Sequence, residues 1–330
     1  MGRCRASDLS VLAMLIWDAH AGFELKSVAD LETLSVWKDA GVGFLSVNVG
    51  YDVVPWHNTV KALSLARDWL QKTEGYRLVA SVAEVDAAVG DGEMAIAFDI
   101  EGMNALDGSV DMVRCYRDLG VRQMVFAYNL NNAAGGGCHD RDIGLTEFGR
   151  AVIAEMNDVG MVVDCSHCGY STTMEAMECS RDPVVFSHSN AWALREHERN
   201  IRDEQAVRCA ETGGVVGVNG INLFVGADDT TTEAIVDHID HYLNLVGVDH
   251  VGIGLDYFHP VEEGPGFGEV LAGNDQYWPK AQYPEITVRC AAPAQFLGVA
   301  DTLRFRNYSE TVIEKVLGGN FRRIAGEVWK

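Results

Sequence analysis

Between Met161 and Asn190 the chain reads MVVDCSHCGY, a short amphipathic segment, and then PVVFSHSN. Two runs of β-branched residues each end in Ser-His, at Ser166-His167 and Ser187-His188, with helix-like sequence between them. A short apolar run bounded by polar residues reads as a buried strand, and strand, helix, strand within about thirty residues is a parallel βαβ unit. Parallel strands point one way, so residues just past their ends gather on one face, where α/β folds place their ligands. Two histidines are therefore expected to leave neighbouring strands at the same height.

The pattern repeats along the chain. Strands are expected at about 11–17, at 41–49, 94–98 and 121–127, at the two runs just described, and at 214–218 and 250–255. Helical spacing separates several of them, as in 59–73 and in a helix from Thr146 whose apolar positions Phe148, Val152, Met156 and Val159 share one face before Gly160 ends it. Thr230 and Glu233 read as a capping box for another helix, with His238 and His241 off its apolar stripe and expected in solvent. Eight strands alternating with helices, without a linker-like break, predict an α/β (β/α)8 TIM barrel over residues 1–330 as a single domain; a doubly wound sheet is the structural alternative. Periodicity fails from Tyr257 to Val288, and a loop this long at the strand ends is expected to wall or cover the site.

Acidic residues exceed basic ones by 48 to 26, a formal charge of -22. With no basic block, nucleic acid and anionic membrane surfaces are poor partners. The basic and apolar opening is not followed by a small-residue cleavage site and reads as a strand leading into Asp18-Ala19-His20, so cytoplasmic residence is the expectation. Eight scattered cysteines fit reduced thiols better than a disulfide framework. Cys165 and Cys168 have C-x-x-C spacing but no second pair, which disfavours a redox or structural-zinc role. Glycines 213, 214, 217 and 220 straddle a strand instead of joining a strand to a helix, so they make a weak nucleotide signal.

The strand exits carry His20, Glu101, Tyr128, His167, His188, Asn219 and Asp256. Imidazoles and carboxylates converging from separate strands are what a borderline divalent ion such as Zn²⁺ needs. A lone histidine is more often a hydrogen-bonded core residue, but His167 and His188 together favour a metal site. His139 and Asp140, in the glycine-rich loop at 133–140, are expected in solvent.

Phe98-Asp-Ile-Glu-Gly-Met-Asn-Ala-Leu106, Gly144-Leu-Thr-Glu-Phe-Gly-Arg150, Val163-Asp-Cys-Ser-His167, Phe186-Ser-His-Ser189, Arg199-Asn200 and Gly252-Ile-Gly-Leu-Asp256 together resemble the membrane (renal) dipeptidase family of the amidohydrolase superfamily. The resemblance runs from His20 to Gly318-Gly-Asn-Phe321. It implies a (β/α)8 barrel holding two zinc ions that hydrolyses dipeptides, usually as a homodimer. It matches His20 to a ligand of the first metal, Glu101 to the carboxylate bridging both, and His167 and His188 to ligands of the second. Asp256 matches the acid that handles the proton and Arg199 the residue that binds the substrate carboxylate; Asn219 is a further candidate for substrate binding.

Two positions depart from the family pattern. His20-Ala21-Gly22 stands where the family has His-x-Asp, so the first metal loses a ligand that Glu24 or Asp18 would have to replace, and one or two ions are both open. Tyr128 stands where a histidine contacts the tetrahedral centre; a phenol still donates a hydrogen bond to a developing oxyanion. The expected function is a zinc-dependent dipeptidase. The alternatives are a related amidase acting on N-acyl amino acids or other small amides, and a catalytically inactive binding protein, which only Gly22 favours.

Overall fold

The computed structural model describes residues 14–22, 31–226, 230–258, 273–283 and 288–330. Eight parallel strands form the barrel wall: β1 (Trp17–Ala21), β2 (Phe44–Tyr51), β4 (Met94–Glu101), β5 (Val121–Val125), β6 (Val162–Asp164), β7 (Val184–Val185), β8 (Val216–Val218) and β9 (Val251–Ile253). A short parallel β3 (Tyr76–Leu78) adds to the first half of β4. β1 through β7 pair in chain order through β4, and β8 pairs with β9. A parallel bridge from Phe186 to Val216 joins the two groups. The barrel closes where the Asp256 N–H donates to the His20 carbonyl at 3.1 Å and the Leu255 N–H to Asp18 Oδ1 at 2.9 Å.

These strands are apolar on both faces because the barrel interior and the helical ring bury both, as in Ala95, Ile96, Ala97 and Phe98 of β4. The helices follow the sequence pattern closely. The one before β6, Glu147–Val159, is capped by Thr146 Oγ1 accepting the Gly149 N–H and ends at Gly160 with φ 75°. The helix between the two Ser-His strands spans Tyr170–Cys179. At the floor Phe321 fills the barrel, and a Cβ on Gly252 would lie 2.4 Å from its ring. A Cβ on Gly217 would lie 2.0 Å from the Ser187 carbonyl, so these glycines serve close strand packing.

Several expectations are corrected. The first strand lies at Trp17–Ala21 rather than 11–17, so His20 sits within it, and residues 1–13 lie outside the described residues. Glu24 also lies outside them, as do residues 259–272 and 284–287 of the long loop expected from Tyr257 to Val288. The helix expected at 59–73 starts earlier, at Trp56. Thr231, not Thr230, caps the helix Thr232–Val246. In that helix His238 is buried, accepting the Ala191 N–H at 3.1 Å and facing the Val225 carbonyl at 3.1 Å, while His241 meets Asp203 at 2.8 Å. Amphipathic spacing misjudged His238 because the chain around 191 and 225 covers the flank of the helix. Among the described residues the cysteines are free, and no helix is long and apolar enough to cross a membrane.

Candidate active site

Alternation along β4 sends Asp99 and Glu101 to the same side, into the barrel mouth. There Glu101 Oε1 lies 3.0 Å from His167 Nε2, 3.3 Å from His188 Nε2 and 3.6 Å from His20 Nε2. His20 Nε2 is also 3.6 Å from Asp256 Oδ1, and its ring stacks on that of His188 with centroids 4.0 Å apart. Two overlapping donor sets result, Glu101 with His167 and His188, and His20 with His188 and Asp256, all buried except Asp256, which is half-buried.

The imidazoles are oriented from behind. His167 Nδ1 lies 2.7 Å from Asn129 Oδ1, an acceptor because Asn129 Nδ2 donates to the Tyr277 carbonyl. His188 Nδ1 lies 2.6 Å from Ser187 Oγ, whose own proton is directed to Asp164. Both Nδ1 atoms therefore carry the hydrogen, and both Nε2 lone pairs face the pocket, 3.0 Å apart. Burial holds both rings well below the usual histidine range, which keeps them neutral.

Glu101 Oε2 accepts from Asn48 Nδ2 at 3.2 Å, while among the described residues Oε1 and both nitrogens of His20 make no hydrogen bond. Buried polar atoms left this way demand an explanation. Two facing nitrogen lone pairs and an unsatisfied carboxylate oxygen repel one another; a divalent cation bound by all three removes both problems. The donor set therefore fits a borderline divalent ion.

Burial pushes Glu101 up to about 8 and raises Asp256 as well. Burial also lowers His20, but the carboxylates of Asp99 and Glu101 outweigh it and leave the ring well above its usual range. Without an ion, protons take up the excess negative charge.

Three non-glycine residues at the strand exits have left-handed backbone, Asn129 with φ 61°, His167 with φ 64° and Asp256 with φ 55°. Such conformations persist where surrounding structure enforces them, and they cluster at functional sites.

Tyr128 stacks on His167 with centroids 4.2 Å apart and lines the cleft; its backbone N–H donates to Asp52 Oδ2 at 3.2 Å. Asn219 sits elsewhere than expected for a substrate contact. It is fully buried, with Nδ2 on Asp256 Oδ2 at 2.9 Å and Oδ1 accepting the Ile221 N–H, so it orients Asp256 instead. Arg199 is 2% exposed, donates to Ser189 Oγ and the His188 carbonyl, and its Nε has no partner among the described residues.

Asp18 does not replace the missing acid at position 22, since its oxygens hold Trp37 Nε1 and the Leu255 N–H. Gly22 itself lines the cleft, and a Cβ there would lie 3.1 Å from Asp256 Oδ1. His139, expected in solvent, is half-buried with Nε2 3.0 Å from the Tyr283 hydroxyl.

Residues not singled out from sequence complete the site: Asn48, Asp99, Asn129, Asp164 and Ser187. Asp99 faces His20 Nδ1 at 3.2 Å and accepts from Ser46 and Asn48. Its position two before Glu101 on one strand was a usable signal; the others emerge only from cross-strand register.

Fold and donor set together define a (β/α)8 barrel of the metal-dependent amidohydrolase type. A model of the membrane dipeptidase family, peptidase family M19, matches residues 40–270, and the chain belongs to that family. An uncharacterized dipeptidase of Schizosaccharomyces pombe is 40% identical over 184 residues, 53% of this chain and 44% of that one. An uncharacterized Klebsiella pneumoniae protein from the pqqA 5′ region is 30% identical over 266 residues, 77% of this chain and 89% of that one. The chain thus spans less than half of the yeast relative's length. A solved amidohydrolase from Pseudomonas aeruginosa superposes with a TM-score of 0.89 at 27% identity, covering 98% of this chain and 99% of that one.

Proposed function

We propose that this protein is a zinc-dependent dipeptidase. The observation that carries the reading is the convergence of His167 Nε2, His188 Nε2 and the unsatisfied Glu101 Oε1 on one buried point. His167, His188 and Glu101 would hold one ion; a second would rest on His20 and Asp256 with Glu101 as the shared carboxylate, because the one free lone pair of His188 serves a single ion. A divalent ion bound there supplies Lewis acidity, lowering the pKa of a water and polarising a carbonyl.

The chain's own residues then do the rest. Asp256, steadied by Asn219, accepts the proton of the attacking water and passes it to the leaving amine. Tyr128, held against His167, donates its phenolic hydrogen to the developing oxyanion, since burial keeps that phenol protonated. Arg199, buried without a counter-ion among the described residues, meets the substrate's terminal carboxylate, which confines cleavage to the last peptide bond. By family membership the reading extends to a homodimer.

A second reading, an amidase acting on N-acyl amino acids, is favoured by Gly22, which removes an acid from the cleft wall. An inactive binding protein fits less well, because Asp256, held toward the cleft by Asn219, is then without a purpose. Zinc-loaded protein assayed by chromatography against dipeptides and N-acetyl amino acids separates the three. Dipeptide turnover abolished by chelation and restored by zinc supports the proposal; turnover of acylated substrates alone moves the amidase forward, and none of either leaves the binding protein.

A further inference from the structure

Two hollows meet at His167. One is polar and lined by Glu198, Arg199 and Arg202; the other is a cleft of about 770 Å³, open to solvent, that includes Glu101 and Asp256. A substrate anchored at Arg199 by its carboxylate, with its scissile bond at Glu101 and His167, extends its acyl residue into the second. The wall of that cleft is apolar: Ile221, Leu223 and Phe224 form a buried cluster against which Phe258, Tyr283 and Val288 pack. Among the described residues no lysine or arginine lines it, and its acids are Glu101 and Asp256, both in the candidate metal cluster. Gly22 leaves open the space beside Asp256 and Phe258, where a Cβ would stand 3.1 Å from Asp256 Oδ1 and 3.6 Å from Phe258 Cβ.

Resting on the dipeptidase reading, we propose that this enzyme selects an apolar, uncharged side chain on the acyl residue of its substrate, and that Phe258 and Leu223 set this preference. A leucine or phenylalanine side chain gains burial against the pre-packed wall. A charged one loses its hydration with no lysine or arginine among the described cleft residues to pair with it, and meets only the carboxylates of the candidate metal cluster.

The test measures kcat/KM of the zinc-loaded chain on Leu-Ala, Phe-Ala, Glu-Ala and Lys-Ala. Leu-Ala and Phe-Ala are expected to exceed the charged pair on the order of 100-fold. In Phe258→Arg the ratio of Glu-Ala to Leu-Ala rises about tenfold or more, with melting temperature and zinc content as in wild type. Comparable values for all four substrates, or an unchanged ratio in the folded variant, overturn the proposal. Should Phe258→Arg not fold, Phe258→Ser takes its place, and it must narrow the preference for Leu-Ala over Gly-Ala. Calorimetric titration with the acyl products, leucine and glutamate, gives a readout independent of turnover. If no dipeptide is hydrolysed, the dipeptidase reading fails by itself; tighter binding of leucine than of glutamate still upholds the apolar subsite, and equal or reversed affinity overturns it.

Discussion

His167 Nε2 and His188 Nε2 face each other across 3.0 Å with their hydrogens committed on the opposite edges of the rings, to Asn129 and Ser187. Two acceptors held this way repel one another, and a cation between them and Glu101 relieves that repulsion. His167→Ala is expected to abolish both hydrolysis and zinc retention, read by elemental analysis after gel filtration; an active His167→Ala enzyme would refute the assignment.

The two donor sets differ in tightness. Glu101, His167 and His188 lie within 3.3 Å of a shared oxygen, whereas His20 stands 3.6 Å from both Glu101 and Asp256 and has no acid at Gly22 to help. Graded chelation should release one equivalent of zinc early and retain the other. Gly22→Asp places a carboxylate beside Asp256 and is expected to slow the early release; unchanged release in that variant would show that position 22 does not face the ion.

Asn129 fixes the tautomer of His167, and Asn219 holds Asp256. Removing such partners of metal ligands costs about 10–100-fold in affinity or activity. Asn129→Ala should weaken zinc binding by that factor in competition with a chelator. Asn219→Ala should lower kcat with little change in KM, and a rise in KM alone would return Asn219 to substrate binding.

Tyr128→Phe preserves the stacking on His167 and deletes only the hydroxyl. A loss of about 10²–10³ in kcat is expected if the phenol stabilises the oxyanion. A variant as fast as wild type would reduce Tyr128 to a wall of the cleft.

Burial lowers His238 to about 4, His197 to about 4 and His139 to about 3. Their folded-state values lie below the unfolded one of about 6.5, so the unfolded chain binds protons first. Stability from these groups is fully present above about pH 6.5 and is lost as pH falls through 4, for His238 on the order of 3 kcal/mol. His238→Gln can still accept the Ala191 N–H and donate to the Val225 carbonyl, and should flatten the decline of melting temperature between pH 6.5 and 4. An unaltered acid limb would place the loss elsewhere.

Much of the barrel was legible because its signals are local. Apolar runs ending in His167, His188 or Asp256 mark strand and exit together, and Thr146 with Gly160 brackets a helix. What stayed hidden depends on register between distant strands: the amide of Asn129 reaching His167, Asp99 backing His20, and Asn219 turned toward Asp256 instead of into the cleft. His238 and His139 were misplaced for the same reason, since covering segments remote in sequence decide their burial. The first strand also misled, because an apolar run before Trp17 resembles a strand although the paired residues begin later.

The left-handed backbone at Asn129, His167 and Asp256 sets the site against the scaffold that carries it. Glycine would relax each position, relieving strain of roughly 1 kcal/mol or more at the expense of whatever the side chain holds in place. Selection for robustness alone would therefore tend to erase this centre, and variants recovered from a thermostability screen blind to turnover should accumulate there. The chain retains three residues that a merely durable barrel would have discarded.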